Sequence, residues 1–196
     1  MYRNRQLTGF SLLLAALLTL ASPASADEAG DRAMSWLDAS AGRWRLESAV
    51  MAGVHSGSRS RKGDINVTAS IEYEMPAWKR ASFGIRFMPL FLYDEKRDDD
   101  DSQTIYGAGL GLMTRIYSNA ETRSGFFAEA GASLVGQSDK FEGNSGSANF
   151  LTELGVGYQW QAGWHVTVKA QHLSNAGLAE HNSGVNAVGM GVGFTF

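Results

Sequence analysis

The sequence has no cysteine. An exported chain of this size without disulfides is held together by other means. Long apolar runs are also missing: after residue 26 none approaches the roughly 20 residues that a membrane-spanning helix needs, which excludes a helical membrane protein. Basic charge is in deficit. Removing Arg3 and Arg5 from the 17 basic residues leaves 15 against 20 acidic ones, a net of −5. A nucleic-acid binder would be basic, so nucleic acid is not an expected partner. Proline is scarce, at 3 residues, and rarely interrupts the segments that follow.

What is present begins with an address. Arg3 and Arg5 precede an apolar run from Phe10 to Ala21, and Ser-Pro-Ala-Ser-Ala ends at Ala26. This order describes a cleavable secretory signal over residues 1–26. The rest, Asp27 to Phe196, is 170 residues and suits one domain. Residues 27–43 read as a lead-in, either a short periplasmic helix or a flexible segment, and 44–196 as the folded domain.

That domain carries most of the 23 glycines and repeated two-residue alternation. Ile65, Val67, Ala69, Ile71 and Tyr73 form one series, and Val188, Met190, Val192, Phe194 and Phe196 another. Such alternation marks strands with one apolar face. Eight are expected, at about 44–54, 64–74, 81–92, 104–117, 125–136, 148–160, 164–174 and 186–196. The connections alternate in length: 55–63, 93–103, 137–147 and 175–185 are long, whereas 75–80, 118–124 and 161–163 are shorter. Outer-membrane barrels have long outer loops, short periplasmic turns and an even strand count.

The second face of each strand is small or polar, as in Asn66, Thr68, Ser70, Glu72 and in His165, Thr167, Lys169, Gln171. A soluble barrel would turn its apolar face inward. Here a polar face fits a filled lumen and the apolar face fits lipid. Trp44, Trp78, Tyr158, Trp160 and Trp164 cluster near expected periplasmic ends, as girdle aromatics do. The chain ends on an aromatic, Phe196, like the assembly signal of outer-membrane proteins. The fold expected is all-β: an eight-stranded antiparallel transmembrane β-barrel of the bacterial outer membrane.

Chemistry is sought among four histidines. His55, His165 and His181 read as loop or lumen residues, and no His/Cys/Asp/Glu set has metal spacing. His172 differs. Counting by two from Trp164 through Val166, Val168 and Ala170 puts His172 and Ser174 on the lipid-facing side. Counting back from Phe196 puts Asn186 there as well. Polar groups at such a place are functional suspects. An 11-residue loop centred on Glu180 predicts Ser174 opposite Asn186 and His172 opposite Val188, with Asn186 in diagonal reach of the ring. A serine nucleophile, a histidine base and a group that orients the ring are the parts of a serine esterase. The other reading of these three is a polar rim that meets lipid headgroups.

The run His172-Leu-Ser-Asn-Ala-Gly-Leu, followed by Asn182-Ser-Gly-Val-Asn186, resembles the PagL-type lipid A 3-O-deacylase family. So do the size, the signal, the Phe-Phe-Ala-Glu-Ala-Gly stretch at 126–131 and the final strand. The resemblance implies an eight-stranded outer-membrane barrel that hydrolyses the ester at position 3 of lipid A and releases a 3-hydroxy fatty acid, without a cofactor. It makes Ser174 the nucleophile and His172 the base, and it assigns Asn175, Gly177 and Asn182 to the loop around the oxyanion. Its best-known members carry glutamate where this chain has Asn186. An amide orients an imidazole through its carbonyl but lacks the charge that stabilises an imidazolium. Glu180 is the nearest other acid in sequence, while Glu129 and Glu153 face the lumen by parity.

The expected partners are lipid A or lipopolysaccharide in the outer leaflet and the outer membrane itself; a monomer and a homodimer both stay open. Arg59, Arg61 and Lys62 can meet lipid A phosphates, and Asp98 to Asp101 can hold bridging divalent cations, or both runs are solvated loop. The alternative function is a non-catalytic barrel that binds lipopolysaccharide or serves a structural role.

Overall fold

A computed structural model describes residues 37–55, 60–96 and 102–196. The signal segment and residues 27–36 of the lead-in lie outside the described residues. Eight strands follow in chain order: β1 (Arg43–Val54), β2 (Ile65–Pro76), β3 (Ala81–Lys96), β4 (Ser102–Asn119), β5 (Ser124–Gln137), β6 (Ala148–Gln159), β7 (Trp164–Ser174) and β8 (Val185–Thr195). Each pairs antiparallel with its neighbour, and β8 pairs back onto β1 through Ala52↔Val188 and Leu46↔Phe194, closing the barrel. Closure removes every sheet edge, which hydrocarbon would penalise at several kcal/mol per unpaired backbone group.

The two faces divide as the alternation requires. Val50, Ile85, Leu110, Leu154, Val168 and Met190 are exposed on the outside. Trp44, Trp78, Trp160 and Trp164 are exposed around the end that carries the short turns. Their rings are braced by neighbours: Trp44 on Tyr73 at 5.0 Å and Trp164 on Phe194 at 5.2 Å between centroids. Such amphipathic rings anchor a barrel at the headgroup level.

The interior is filled in two layers. Towards the short turns lie Arg45, Arg86, Arg115 and Lys169 among Glu47, Glu72, Glu74, Glu129 and Glu153, all buried. Arg115 bonds Glu129 at 2.8 Å and also Glu72, Arg86 bonds Glu153 at 2.8 Å, and Lys169 lies 3.0 Å from Glu129. Glycine makes room for these long side chains: a methyl at Gly193 would overlap the His165 ring. Towards the long loops the filling turns apolar, with Met88, Phe91, Tyr93, Ile105, Val135, Phe141, Leu151, Leu173 and Val185 in one cluster.

The boundaries differ from those expected by one or two residues in most strands and by four at the end of β3. β3 runs to Lys96 and β4 begins at Ser102, so most of the expected loop 93–103 is strand. Tyr93 and Glu95 are buried there, which is why a charged stretch continues the sheet. A register shift between Met88 and Phe91 accompanies Pro89. Proline has no N–H for the ladder and is confined to edges and bulges.

Candidate active site

β7 delivers its side chains in strict alternation. His165, Thr167, Lys169 and Gln171 are buried inward, while Trp164, Val166, Val168 and Ala170 point out. His172 and Ser174 continue the outward series and are half-buried. On β8, Phe196, Val192, Met190 and Val188 point out, and the half-buried Asn186 follows on the same side. The three polar residues therefore share the outer surface at the long-loop end, as the parity count required.

The register corrects the expected pairing. His172 stands opposite Asn186 and Ala170 opposite Val188, two residues from the predicted Ser174–Asn186 and His172–Val188 pairs. A shift of two keeps every side chain on its face. Its physical cause is that the chain leaves the sheet at Asn175 for a tight turn, while Asn182 bridges to Asn144 of the β5–β6 loop. The correction brings the base and its orienting group closer than expected.

The His172 Nδ1 and Asn186 Oδ1 atoms are 2.6 Å apart. Asn186 Nδ2 donates to the carbonyl of His55 at the end of β1, at 3.3 Å. With its NH2 group turned to one carbonyl, the amide presents its oxygen to the ring. Nδ1 is then the donor, and the neutral ring carries its lone pair on Nε2. This is the tautomer a general base needs. From the other side, Thr152 Oγ1 of β6 donates to the His172 carbonyl at 3.2 Å. Asn186 of β8 thus holds the ring, while Thr152 of β6 holds the backbone at His172. Asn186 gives the ring a carbonyl dipole rather than a charge.

Ser174 lies opposite Phe150 of β6, two residues from His172 on the same face. That spacing is about 6.6 Å along a strand. Among the described residues no hydrogen bond joins Ser174 to the ring. The structure pairs His172 with Asn186 and sets the serine beside them.

The loop residues divide into builders and candidate donors. Asn175 is buried: its N–H donates to Asn182 Oδ1 at 3.1 Å, and its Nδ2 donates to Asn144 Oδ1 at 3.0 Å and to the His181 carbonyl at 2.8 Å. Its Oδ1 accepts the Gly177 N–H at 2.9 Å, and its carbonyl accepts the Leu178 N–H at 3.0 Å. Ala176 and Gly177 have φ of 54° and 79°. Positive φ at both central residues defines a type I′ turn, which glycine adopts freely and alanine at a cost of roughly 1–2 kcal/mol. The N–H groups of Asn175 and Gly177 are therefore committed inside the loop. The exposed Asn182 is anchored by its Oδ1, a bond that does not use its NH2 group.

The remaining candidates lie elsewhere. Glu180 is exposed in the β7–β8 connection, and the acceptor on the ring is Asn186. Glu129 and Glu153 are inside the barrel on Arg115 and Arg86. His165 sits in the lumen 3.4 Å from Glu47, and His181 Nδ1 meets Ser145 Oγ at 3.3 Å between two loops. Arg61 is not on the surface where a phosphate would meet it. Its guanidinium is buried on Glu95 and bonds the Glu142 carbonyl at 2.8 Å. The pull of that buried carboxylate explains the correction. Lys62 is exposed. Arg59 and Asp98 to Asp101 lie outside the described residues. Sequence reasoning missed the His55 carbonyl, a backbone atom without a side-chain signal, and Asn144, whose partners are distant in sequence.

Comparison with known proteins adds to this geometry. The family model described as lipid A 3-O-deacylase (PagL) matches residues 61–195. Among solved structures, the outer membrane enzyme PagL superposes with a TM-score of 0.54 at 18% identity, covering 76% of this chain and 98% of that one. Neisserial surface protein A superposes with a TM-score of 0.52 at 14% identity, covering 82% and 99%. At such identities the two structures speak for the barrel fold alone. Curated proteins give no match.

Proposed function

Because the chain belongs to the lipid A 3-O-deacylase (PagL) family of the bacterial outer membrane, we propose that it is a serine-type esterase that removes the acyl chain at position 3 of lipid A. The observation that carries this reading is the His172–Asn186 pair on the outward surface of the barrel, with Ser174 next to it on the strand. A base, an orienting group and a hydroxyl sit at the level where headgroup meets hydrocarbon, which is where acyl esters of the outer leaflet lie.

In this mechanism His172 Nε2 takes the proton of Ser174 Oγ as Oγ attacks the ester carbonyl carbon. The side chains close the gap when the ester is seated, since catalytic hydrogen bonds tighten in the substrate complex. The oxyanion is met by donors that the loop leaves over: the Ala176 N–H, which lies between the committed N–H groups of Asn175 and Gly177, and Asn182 Nδ2. Collapse of the tetrahedral intermediate returns the proton from His172 to the departing sugar oxygen. Water, activated by the same ring, then releases the fatty acid from Ser174. Asn186 keeps the ring in its reacting tautomer throughout. Asn175 and Gly177 act as builders of the turn. Residues such as Leu154, Ala170 and Val188, which continue the outward face into the membrane, offer an apolar track for the acyl chain.

The test is incubation of the purified barrel with lipid A in detergent, followed by mass spectrometry. The expected result is loss of the 3-linked acyl group and appearance of free 3-hydroxy acid. Ser174→Ala and His172→Ala abolish it. If both variants deacylate like the parent, the assignment of nucleophile and base is wrong. No free acid from the parent would leave the non-catalytic lipopolysaccharide-binding barrel as the better description.

A further inference from the structure

One buried arginine, itself in an outer connection, touches two of the others. Arg61 lies in the β1–β2 connection and is 1% exposed. Its Nη1 bonds the Glu95 carboxylate near the end of β3. Its Nη2 bonds the Glu142 carbonyl in the β5–β6 loop at 2.8 Å and Ser183 Oγ in the β7–β8 loop at 3.3 Å, and approaches the Gly184 carbonyl at 3.5 Å. Glu95 reaches the same place from its other side, accepting the Glu142 N–H at 2.9 Å. Ser183 Oγ in turn donates to the Glu142 carbonyl at 3.2 Å, and its N–H bonds the Gly143 carbonyl at 2.9 Å.

The position of the last contacts matters. Gly184 is two residues before Asn186, and Ser183 is next to Asn182. The guanidinium therefore holds the backbone that leads directly into the ring's orienting amide and carries the carboxamide assigned to the oxyanion. The planar fork of arginine suits such a junction, because one edge meets a carboxylate while the other meets carbonyl and hydroxyl groups. Lysine offers a point charge and cannot reproduce the fork. A buried charge also fixes its surroundings strongly, because it cannot be left without partners.

We propose that Arg61 is a positioning residue for deacylation: it clamps the β7–β8 connection from below, so that Asn186 and Asn182 are held where His172 and the oxyanion need them. This deepens the esterase reading and rests on it. Arg61 touches neither substrate nor reacting atoms; its effect passes through the hairpin.

The experiment has two arms. In the first, kcat and KM for lipid A hydrolysis are measured for the parent, Arg61→Met, Arg61→Lys, Ser183→Ala, Asn186→Ala and the double variant Arg61→Met/Asn186→Ala. A tenfold or greater fall in kcat is expected for Arg61→Met with KM changed less than threefold. A smaller fall is expected for Arg61→Lys and for Ser183→Ala. In the double variant the loss should be less than the product of the single losses, because both act on one orientation. Multiplicative losses would contradict the clamp and indicate a structural role independent of Asn186. So would an Arg61→Met enzyme with parental kcat.

The second arm does not need activity. Amide hydrogen exchange of the full barrel should show lost protection at Asn175, Gly177 and Ser183 in Arg61→Met, with strand amides of β4 and β5 unchanged. Ser183→Ala, the milder change, should show the same pattern weakly. Parental protection in the loop of Arg61→Met would overturn the clamp even if the parent proved inactive. Lost protection in an inactive barrel would uphold the clamp and reject only the esterase reading.

Discussion

Two of the places where polar side chains leave bulk water in this barrel are built on opposite logics. Inside, five glutamates meet Arg45, Arg86, Arg115 and Lys169, with Arg43 on Glu74 at 3.1 Å at the edge of the group. Charge is matched by charge: Arg115 pairs with both Glu72 and Glu129. Such a network is dense and turned on itself, so it fills the lumen and fixes the strands. Outside, at the rim, His172, Ser174 and Asn186 are few, half-buried and on the outward face. Asn186 turns its amide oxygen to the His172 ring and its NH2 group to the His55 carbonyl. The difference teaches that polarity alone does not mark a site in a barrel; what marks it is the face of the strand on which the polarity lies.

The comparison can be broken by exchanging the consequences of mutation. Ser174→Ala should give the largest effect, a loss of deacylation of about 10⁴-fold or more, as for loss of the nucleophile in other serine hydrolases. Its unfolding midpoint in detergent should be unchanged. Next comes the lumen. Arg115→Met leaves Glu72 and Glu129 short of a partner and should destabilise the barrel by roughly 3–5 kcal/mol, read by denaturant unfolding, while the folded fraction deacylates at the parental rate. A large activity loss with intact stability would mean that the interior network serves the chemistry after all. Asn186→Ala should reduce kcat by about 10²-fold, the scale at which misplacing a catalytic group is felt, again without loss of stability. Smallest is Glu180→Gln, which should leave deacylation within experimental error of the parent. A marked fall there would move the ring's helper away from Asn186.

Much of this was legible in the alternation of side chains. A period of two fixes which residues share a face, so the outward placement of His172, Ser174 and Asn186 followed from counting along β7 and β8. The order and number of strands followed from where alternation stops. Register was less legible. The sequence names the residues of the β7–β8 connection but not where the chain leaves the ladder, and the turn at Asn175 with the Asn144–Asn182 bridge moved the pairing by two. Contacts distant in sequence were not legible at all. Arg61 reads as a surface cation in its own segment, and Glu95 as a loop acid; only the fold brings them together. Asn175 resembles a residue that faces the reaction, yet its partners lie behind it in Asn144, Gly177, His181 and Asn182.

The most direct test of an activated hydroxyl on the lipid face is covalent capture. An alkyl sulfonyl fluoride, presented in mixed micelles with the intact barrel, reacts with a serine whose proton a neighbouring base removes. Peptide mass spectrometry should then find the sulfonyl adduct on Ser174 in the parent and find it lost in His172→Ala. An adduct on another serine, or equal labelling of Ser174 without the histidine, would contradict the account.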